Sequence, residues 1–334
     1  MSCGKNINPT STPATPTAVP ATASPTATYC PTITFTPTPT PPAYTFSTFF
    51  GNTASVSMNH PEGVAVSGST LWVSNTGAAN LQAWTTGGSL ITTITSGISN
   101  PYAAAVGPDG YIYVLCNGSD QVSEFSPAGL GSYVTNFGNA QLTGTPCTGV
   151  AVGTKYAYAS SGSTIFGYPI TGSGASKTFG SPISFGYAIG PGQLGTNFYL
   201  CVDNNQNVDV ADYYNHRIVQ FSQAGVYQTA VTLTSGGEPS SAAVDGLGYI
   251  YVLDSFNGEI QQFTSAGTFV TAFGQSNMTG MAGFLGQLAI DLGGNIYVSD
   301  YPASQVLVFA RNQTRFWQRS KRFSRYGFSM PGSR

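Results

Sequence analysis

Residues 244–274 read VDGLGYIYVLDSFNGEIQQFTSAGTFVTAFG. This short stretch holds an apolar strand end, a tight turn (DGLG, 245–248), an alternating strand (YIYVLD, 249–254), a second strand ending in an aromatic (EIQQF, 259–263) and a third (TFVTAFG, 268–274). Gly supplies the positive φ that such turns need, and Asp can bond its own turn backbone. Alternation with period two and β-branched or aromatic residues marks strands rather than helix.

The same order recurs along the chain. Small-residue strands open each unit: PEGVAV (61–66), PYAAAV (101–106), PCTGVAV (146–152), PSSAAV (239–244) and LGQLAI (285–290). The second strands are LWVSN (71–75), YIYVLCN (111–117), YAYAS (156–160), VDVAD (208–212), YIYVLD (249–254) and NIYVSD (295–300). The step from each second strand to the aromatic that ends the third is constant in five units: Trp72 to Trp84, Tyr113 to Phe125, Asp209 to Phe221, Tyr251 to Phe263 and Tyr297 to Phe309. From Tyr158 to Tyr168 it is shorter. Units of roughly 40–50 residues with this content are propeller blades. The fold expected is all-β: six four-stranded antiparallel blades. The last unit lacks a fourth strand after Phe309, and TFSTFFG (45–51) supplies it, closing the ring and removing an open sheet edge. The fourth unit is irregular: residues 181–199 carry an insertion, and its inner strand is either FGYAIG (185–190) or FYLCVD (198–203).

Composition divides the chain into three. Residues 1–42 are dominated by Pro, Thr, Ala and Ser, the composition of an extended, disordered spacer. Residues 43–310 are the propeller. Residues 311–334 hold seven of the 11 basic groups among Phe316, Trp317, Phe323, Tyr326 and Phe328, so the first 310 residues carry a formal −9 and the tail +7. The tail is expected to be disordered, or to grip nucleic acid or an anionic surface through charge and stacking. With only 7% charged and 13% aromatic residues, the whole chain is neither disordered nor a coiled coil. No apolar run reaches the roughly 18–20 residues that span a bilayer.

The units resemble NHL repeats. VDNNQNVDVADYYNHRIVQFSQAG (202–225) follows that family's order through Asn215, His216, Arg217 and Phe221, and 244–274 matches nearly as well. The resemblance spans residues 44–309, although the first three units lack the motif's Asp and Arg. It implies a six-bladed propeller. Members often bind proteins, carbohydrates or nucleic acids, while relatives such as virginiamycin B lyase and the gluconolactonase-like group are metal-dependent enzymes.

Chemistry is sparse. Only two histidines, His60 and His216, are present, too few for a histidine zinc site; His216 reads as a turn contact. Asp212, Asp254 and Asp300 recur at second-strand ends, where each is expected to hold its own turn. Glu62 stands apart, because other units show Tyr102, Cys147, Ser240 and Gly286 at the start of the inner strand. If a metal binds at the channel mouth, calcium is the ion and Glu62 the acid to name. No nucleophile elbow, phosphate loop or dinucleotide fingerprint occurs. Cys116 and Cys147 either pair or remain buried thiols.

The reading that follows is a non-catalytic, extracytoplasmic binding or scaffold propeller, monomeric, displayed at a bacterial surface or secreted. It recognises a protein or glycan through one face, with His60, Glu62, Tyr102, Asn117, Asp120, Tyr213, Tyr214, Phe256 and Tyr301 as ligand contacts and no cofactor. The alternative is a calcium-dependent hydrolase or lyase at the mouth around Glu62. MSCGKN shows no signal peptide as written. A Cys ahead of a Thr/Pro spacer nonetheless resembles the mature end of a bacterial lipoprotein, which makes Cys3 the expected acylation site and places the true start upstream.

Overall fold

The computed structural model describes residues 41–52, 57–128, 131–143, 147–195, 197–280 and 286–312. The Thr/Pro-rich segment 1–40, with Cys3, and the basic segment 313–334 lie outside the described residues. Six sheets share one plan, with strands hydrogen-bonded from the inside of the ring outward, in chain order in every blade but the last. Blade I is Pro61–Ser67, Thr70–Asn75, Asn80–Thr85 and Leu90–Ile94; blade II is Pro101–Val106, Ile112–Cys116, Gln121–Ser126 and Ser132–Phe137. Blade V is Pro239–Val244, Ile250–Asp254, Glu259–Phe263 and Phe269–Phe273. Each inner strand neighbours those of the blades before and after it, and blade VI returns to blade I. Among the described residues helix is limited to four short 3-10 turns.

Blade VI closes the ring as the sequence leads one to expect. Leu288–Ile290, Ile296–Asp300 and Gln305–Arg311 are followed not by a later strand but by Tyr44–Phe50, antiparallel to Gln305–Arg311. The pairing runs to Tyr44↔Arg311, and the Asn312 amide donates to the Ala43 carbonyl beyond it.

The ambiguous fourth unit resolves in favour of the later candidate. Its inner strand is Asn197–Val202, followed by Val208–Asp212, Arg217–Phe221 and Tyr227–Thr232. The earlier candidate belongs to blade III. There the third strand, Thr164–Thr171, is long enough to take two short partners on one edge, Thr178–Phe179 and Ile183–Phe185. The inner strands of blade III are Val150–Val152 and Tyr156–Ser161. The inserted segment is therefore a split outer edge followed by a loop, with Gly186 at φ +92°, a conformation that bars strand continuation for most residues.

Second strands are buried along their whole length in blades II, IV, V and VI, because each is covered by the neighbouring blade on both faces. Tyr113, Tyr158, Tyr251 and Tyr297 fill those interfaces, and Asp209 takes their place in blade IV. Cys116 and Cys201 are free thiols, so Cys116 does not pair with Cys147.

Strand direction gives the ring two distinct faces. One, the loop face, carries the starts of the inner strands and the loops that follow the second strands. The other, the turn face, carries the turns between inner and second strands. There Asp245 accepts the Leu247 and Tyr249 amides and the Tyr251 hydroxyl, and Asp291 accepts the Asn295 amide and the Tyr297 hydroxyl.

Candidate functional site

All nine contact residues expected from the sequence lie on the loop face, in two groups. His60, Glu62, Tyr102 and Tyr301 gather at the channel mouth, whereas Asn117, Asp120, Tyr213, Tyr214 and Phe256 sit on separate loops around it.

The acids at the second-strand ends are committed to architecture. Asp254 is fully buried; its Oδ1 accepts the Glu238, Phe256 and Asn257 amides, and its Oδ2 accepts the Asn257 and Gln261 side chains. Asp212 accepts the Gly195 amide, the Asn215 side-chain amide and, at 2.9 Å, Arg217 Nε. Asp300 accepts the Ala303 amide and the Gln305 side chain. His216 adopts φ +55° and its Nδ1 lies 3.1 Å from the Gly237 carbonyl, a turn contact. These bonds fix the loops, leaving Tyr214 and Phe256 exposed at 65% and 57% on rigid supports. Tyr213, by contrast, is buried, and burial pushes its hydroxyl pKa up to about 12.

The mouth is different. Glu62 enters on the inner strand of blade I, where its carbonyl accepts the Ser299 hydroxyl (2.6 Å) and the Gln287 amide (3.2 Å) of blade VI. Burial pushes its carboxyl up to about 8, against a smaller opposing effect from a hydrogen bond with Tyr102. Its Oε2 is buried without a partner. Tyr102 stacks on Tyr199 with ring centroids 6.0 Å apart, and the Tyr199 hydroxyl is likewise buried and unpartnered. Desolvation raises the pKa of both hydroxyls, with Glu62 adding to it in each case and Tyr301 acting on Tyr102. Tyr301 in turn stacks on His60 at 4.5 Å. Tyr199 escapes a reading of the sequence because its strand is one of two alternatives there; the DNNQN turn that follows it is the signal that would fix the strand and expose it.

Below the mouth the inner strands enclose a channel cavity of about 180 Å³ whose lining is aliphatic except for Gln287 and Cys201. Gln287 Oε1 accepts the Val64 and Ala104 amides (3.0 and 3.1 Å) and its Nε2 donates to the Ala104 carbonyl (2.8 Å), so one side chain ties blade VI to blades I and II. Among the described residues no three His, Cys, Asp or Glu side chains are grouped to hold a metal ion. The groups around Glu62 are tyrosines that keep their protons, a poor fit to the several oxygen ligands calcium takes.

A second carboxylate–tyrosine cluster lies on the turn face. Glu124 is fully buried; its Oε1 accepts the Tyr113 hydroxyl (3.0 Å) and lies 2.6 Å from Lys177 Nζ, which reaches across from blade III. The same ammonium donates to Asp109 and to the Tyr113 hydroxyl (2.8 Å) and sits 3.7 Å above the Tyr111 ring. A cavity of about 270 Å³ opens beside it, between Pro108, Val152, Ile170 and Ser173.

No family model matches the chain, and no curated protein does, so membership of the NHL family is not established. Solved structures do match. A streptogramin B lyase superposes with a TM-score of 0.58 at 12% identity, covering 80% of this chain and 98% of the other. A catalytically inactive virginiamycin B lyase from Staphylococcus aureus with quinupristin gives 0.56 at 12% identity, covering 82% and 90%. A structural genomics protein of unknown function from Bacteroides thetaiotaomicron gives 0.59 at 14% identity, covering 78% and 71%. At such identities the likeness is one of fold: this chain is a six-bladed β-propeller.

Proposed function

We propose that the chain is a non-catalytic, extracytoplasmic binding propeller that recognises a protein or glycan through its loop face. The observation that carries this reading is the pairing of exposed aromatics with rigid supports: Phe256 stands on a loop whose amides are held by buried Asp254, and Tyr214 on one held by buried Asp212. Rigid aromatic side chains bury much area at little entropic cost, which is how recognition surfaces gain affinity. The test is binding of the labelled protein to a glycan array and to intact bacterial cells. The Tyr214→Ala, Phe256→Ala double variant is expected to lose at least about tenfold in affinity, and Leu247→Ala on the turn face to lose nothing. Equal loss from both, or from neither, would overturn the reading.

One observation favours an enzyme instead. A buried carboxyl pushed up to about 8 is a common setting of a general acid, which makes Glu62 the residue on which a hydrolase or lyase would turn. Its discriminating measurement is elemental analysis after dialysis against calcium: a stoichiometric ion lost in Glu62→Gln favours the enzyme. The surface location goes with acylation at Cys3, and mass spectrometry of the native protein showing an unmodified Met1 would remove it.

A further inference from the structure

We propose that the channel mouth is a binding site for an alkylammonium group, of the kind a lysine side chain of a protein partner presents, gripped by Glu62 and walled by Tyr102, Tyr199 and Tyr301. The proposal rests on the loop-face reading above and names the chemistry the face would recognise.

The first support is the protein's own Lys177. On the turn face an alkylammonium is held by a buried glutamate, a tyrosine hydroxyl bonded to that glutamate and a tyrosine ring under the charge. The mouth repeats the carboxylate and the aromatic walls: Glu62 is paired to Tyr102, Tyr102 is stacked on Tyr199, and Tyr301 is close enough to act electrostatically on Tyr102. No lysine or arginine among the described residues forms an ion pair with Glu62. Aromatic faces beside a carboxylate bind ammonium ions through ring quadrupole and Coulomb attraction together.

The second support is what the mouth leaves unbonded. Glu62 Oε2 and the Tyr199 hydroxyl are both buried and unpartnered, although buried polar atoms are ordinarily hydrogen-bonded. An ammonium offers three donors to such acceptors. The third is the charge of the face. Besides Glu62 it carries Asp120, Asp212, Glu238, Asp254, Glu259 and Asp300, and its one described lysine or arginine is Arg217, already paired with Asp212. A face of that sign draws cations toward the mouth and repels carboxylates and phosphates.

The test titrates the full chain with n-butylammonium chloride at constant ionic strength and about pH 9, where the Glu62 carboxyl is ionised and the alkylammonium keeps its charge, following tyrosine fluorescence and ring-proton shifts, with n-butanol and n-butyrate as neutral and anionic controls. The expected result is saturable, millimolar binding of the ammonium alone, weakened at least about tenfold in Glu62→Gln and in Tyr102→Leu. Circular dichroism and melting curves establish that each variant is folded, and the butanol comparison stands on the unaltered protein if one is not. No saturation by about 100 mM, butanol binding as tightly as the ammonium, or undiminished affinity in folded Glu62→Gln would each overturn the proposal. So would binding of methyl glucosaminide in place of butylammonium. The rim variant Tyr214→Ala, Phe256→Ala reads the face separately: array binding lost there while butylammonium fails leaves the face reading standing and this one fallen. Butylammonium bound at the mouth with no array or cell binding gives the reverse.

Discussion

Glu124 and Glu62 form the sharpest contrast in this propeller. Each is bonded to a tyrosine hydroxyl and each has an Oε2 with no partner. Glu124 sits inside the ring wall, where Lys177 crosses from the next blade to neutralise it. Glu62 sits at the channel mouth, where no lysine or arginine among the described residues forms an ion pair with it, and burial raises its pKa instead. The lesson is that a buried carboxylate has two ways to be tolerated, a partner charge or a retained proton. A charge supplied from within builds the scaffold, whereas one left to be supplied from outside makes a site.

The contrast can be broken most forcefully at Lys177. Lys177→Met leaves Glu124 and Asp109 facing each other without their cation, and we expect a loss of about 3–5 kcal/mol in urea unfolding. Adding Glu124→Gln should restore much of it. If the single variant is as stable as the parent, the cluster is not the clip between blades II and III that its geometry indicates. Next in size is Gly237→Ala. A Cβ there would lie 2.0 Å from Asp254 Oδ2, displacing the carboxylate that holds the Phe256 loop. A loss of about 2 kcal/mol is expected, seen as a lower melting temperature.

Glu62→Gln sharpens the comparison from the other side, and its sign depends on pH. The folded-state value of about 8 lies above the roughly 4.3 of an unfolded glutamate, so the folded protein retains a proton that the unfolded chain releases. The contribution of Glu62 to stability is therefore full below about pH 4 and falls as pH rises toward 8. Gln removes that fall: melting temperatures of variant and parent should agree near about pH 4–5, and the variant should melt a few degrees higher at about pH 9. A constant difference across that range would contradict the retained proton. The smallest effect belongs to Tyr214→Ala, expected within about 0.5 kcal/mol of the parent because the ring is largely exposed. A larger loss would mean that the ring supports the loop as well as presenting itself.

The fold was open to reading because its evidence is local and repeated. Tyr113, Tyr251 and Tyr297 stand at one fixed interval before the strand-ending Phe125, Phe263 and Phe309, and the turn aspartates Asp245 and Asp291 announce themselves by the glycines beside them. The closing strand was legible by subtraction, since blade VI lacked one. The mouth was half legible: Glu62 is conspicuous as the lone acid among Tyr102, Ser240 and Gly286, but its proton retention depends on how the other blades crowd it. Lys177 could not be seen at all. It follows a 3-10 turn in blade III and meets a glutamate of the preceding blade, an encounter fixed by how adjacent sheets stack and by nothing within either repeat. Blade IV stayed ambiguous for a related cause, because the split edge of blade III imitates an inner strand when pairing is unknown.

The closure by Tyr44–Phe50 has a consequence in time. During synthesis this strand leaves the ribosome before any blade, yet its partner ends at Arg311, near the other end of the chain. At roughly 5–20 residues per second the wait is on the order of tens of seconds. Throughout it, a segment bearing Phe46, Phe49 and Phe50 has no sheet to join. The five other blades can form meanwhile, each from contiguous chain, so the last event in folding is the docking of the first strand made. A permuted chain beginning between Phe50 and Pro61 would reverse that order: Tyr44–Phe50 would emerge after Gln305–Arg311, and the ring could close as soon as its final strand was made.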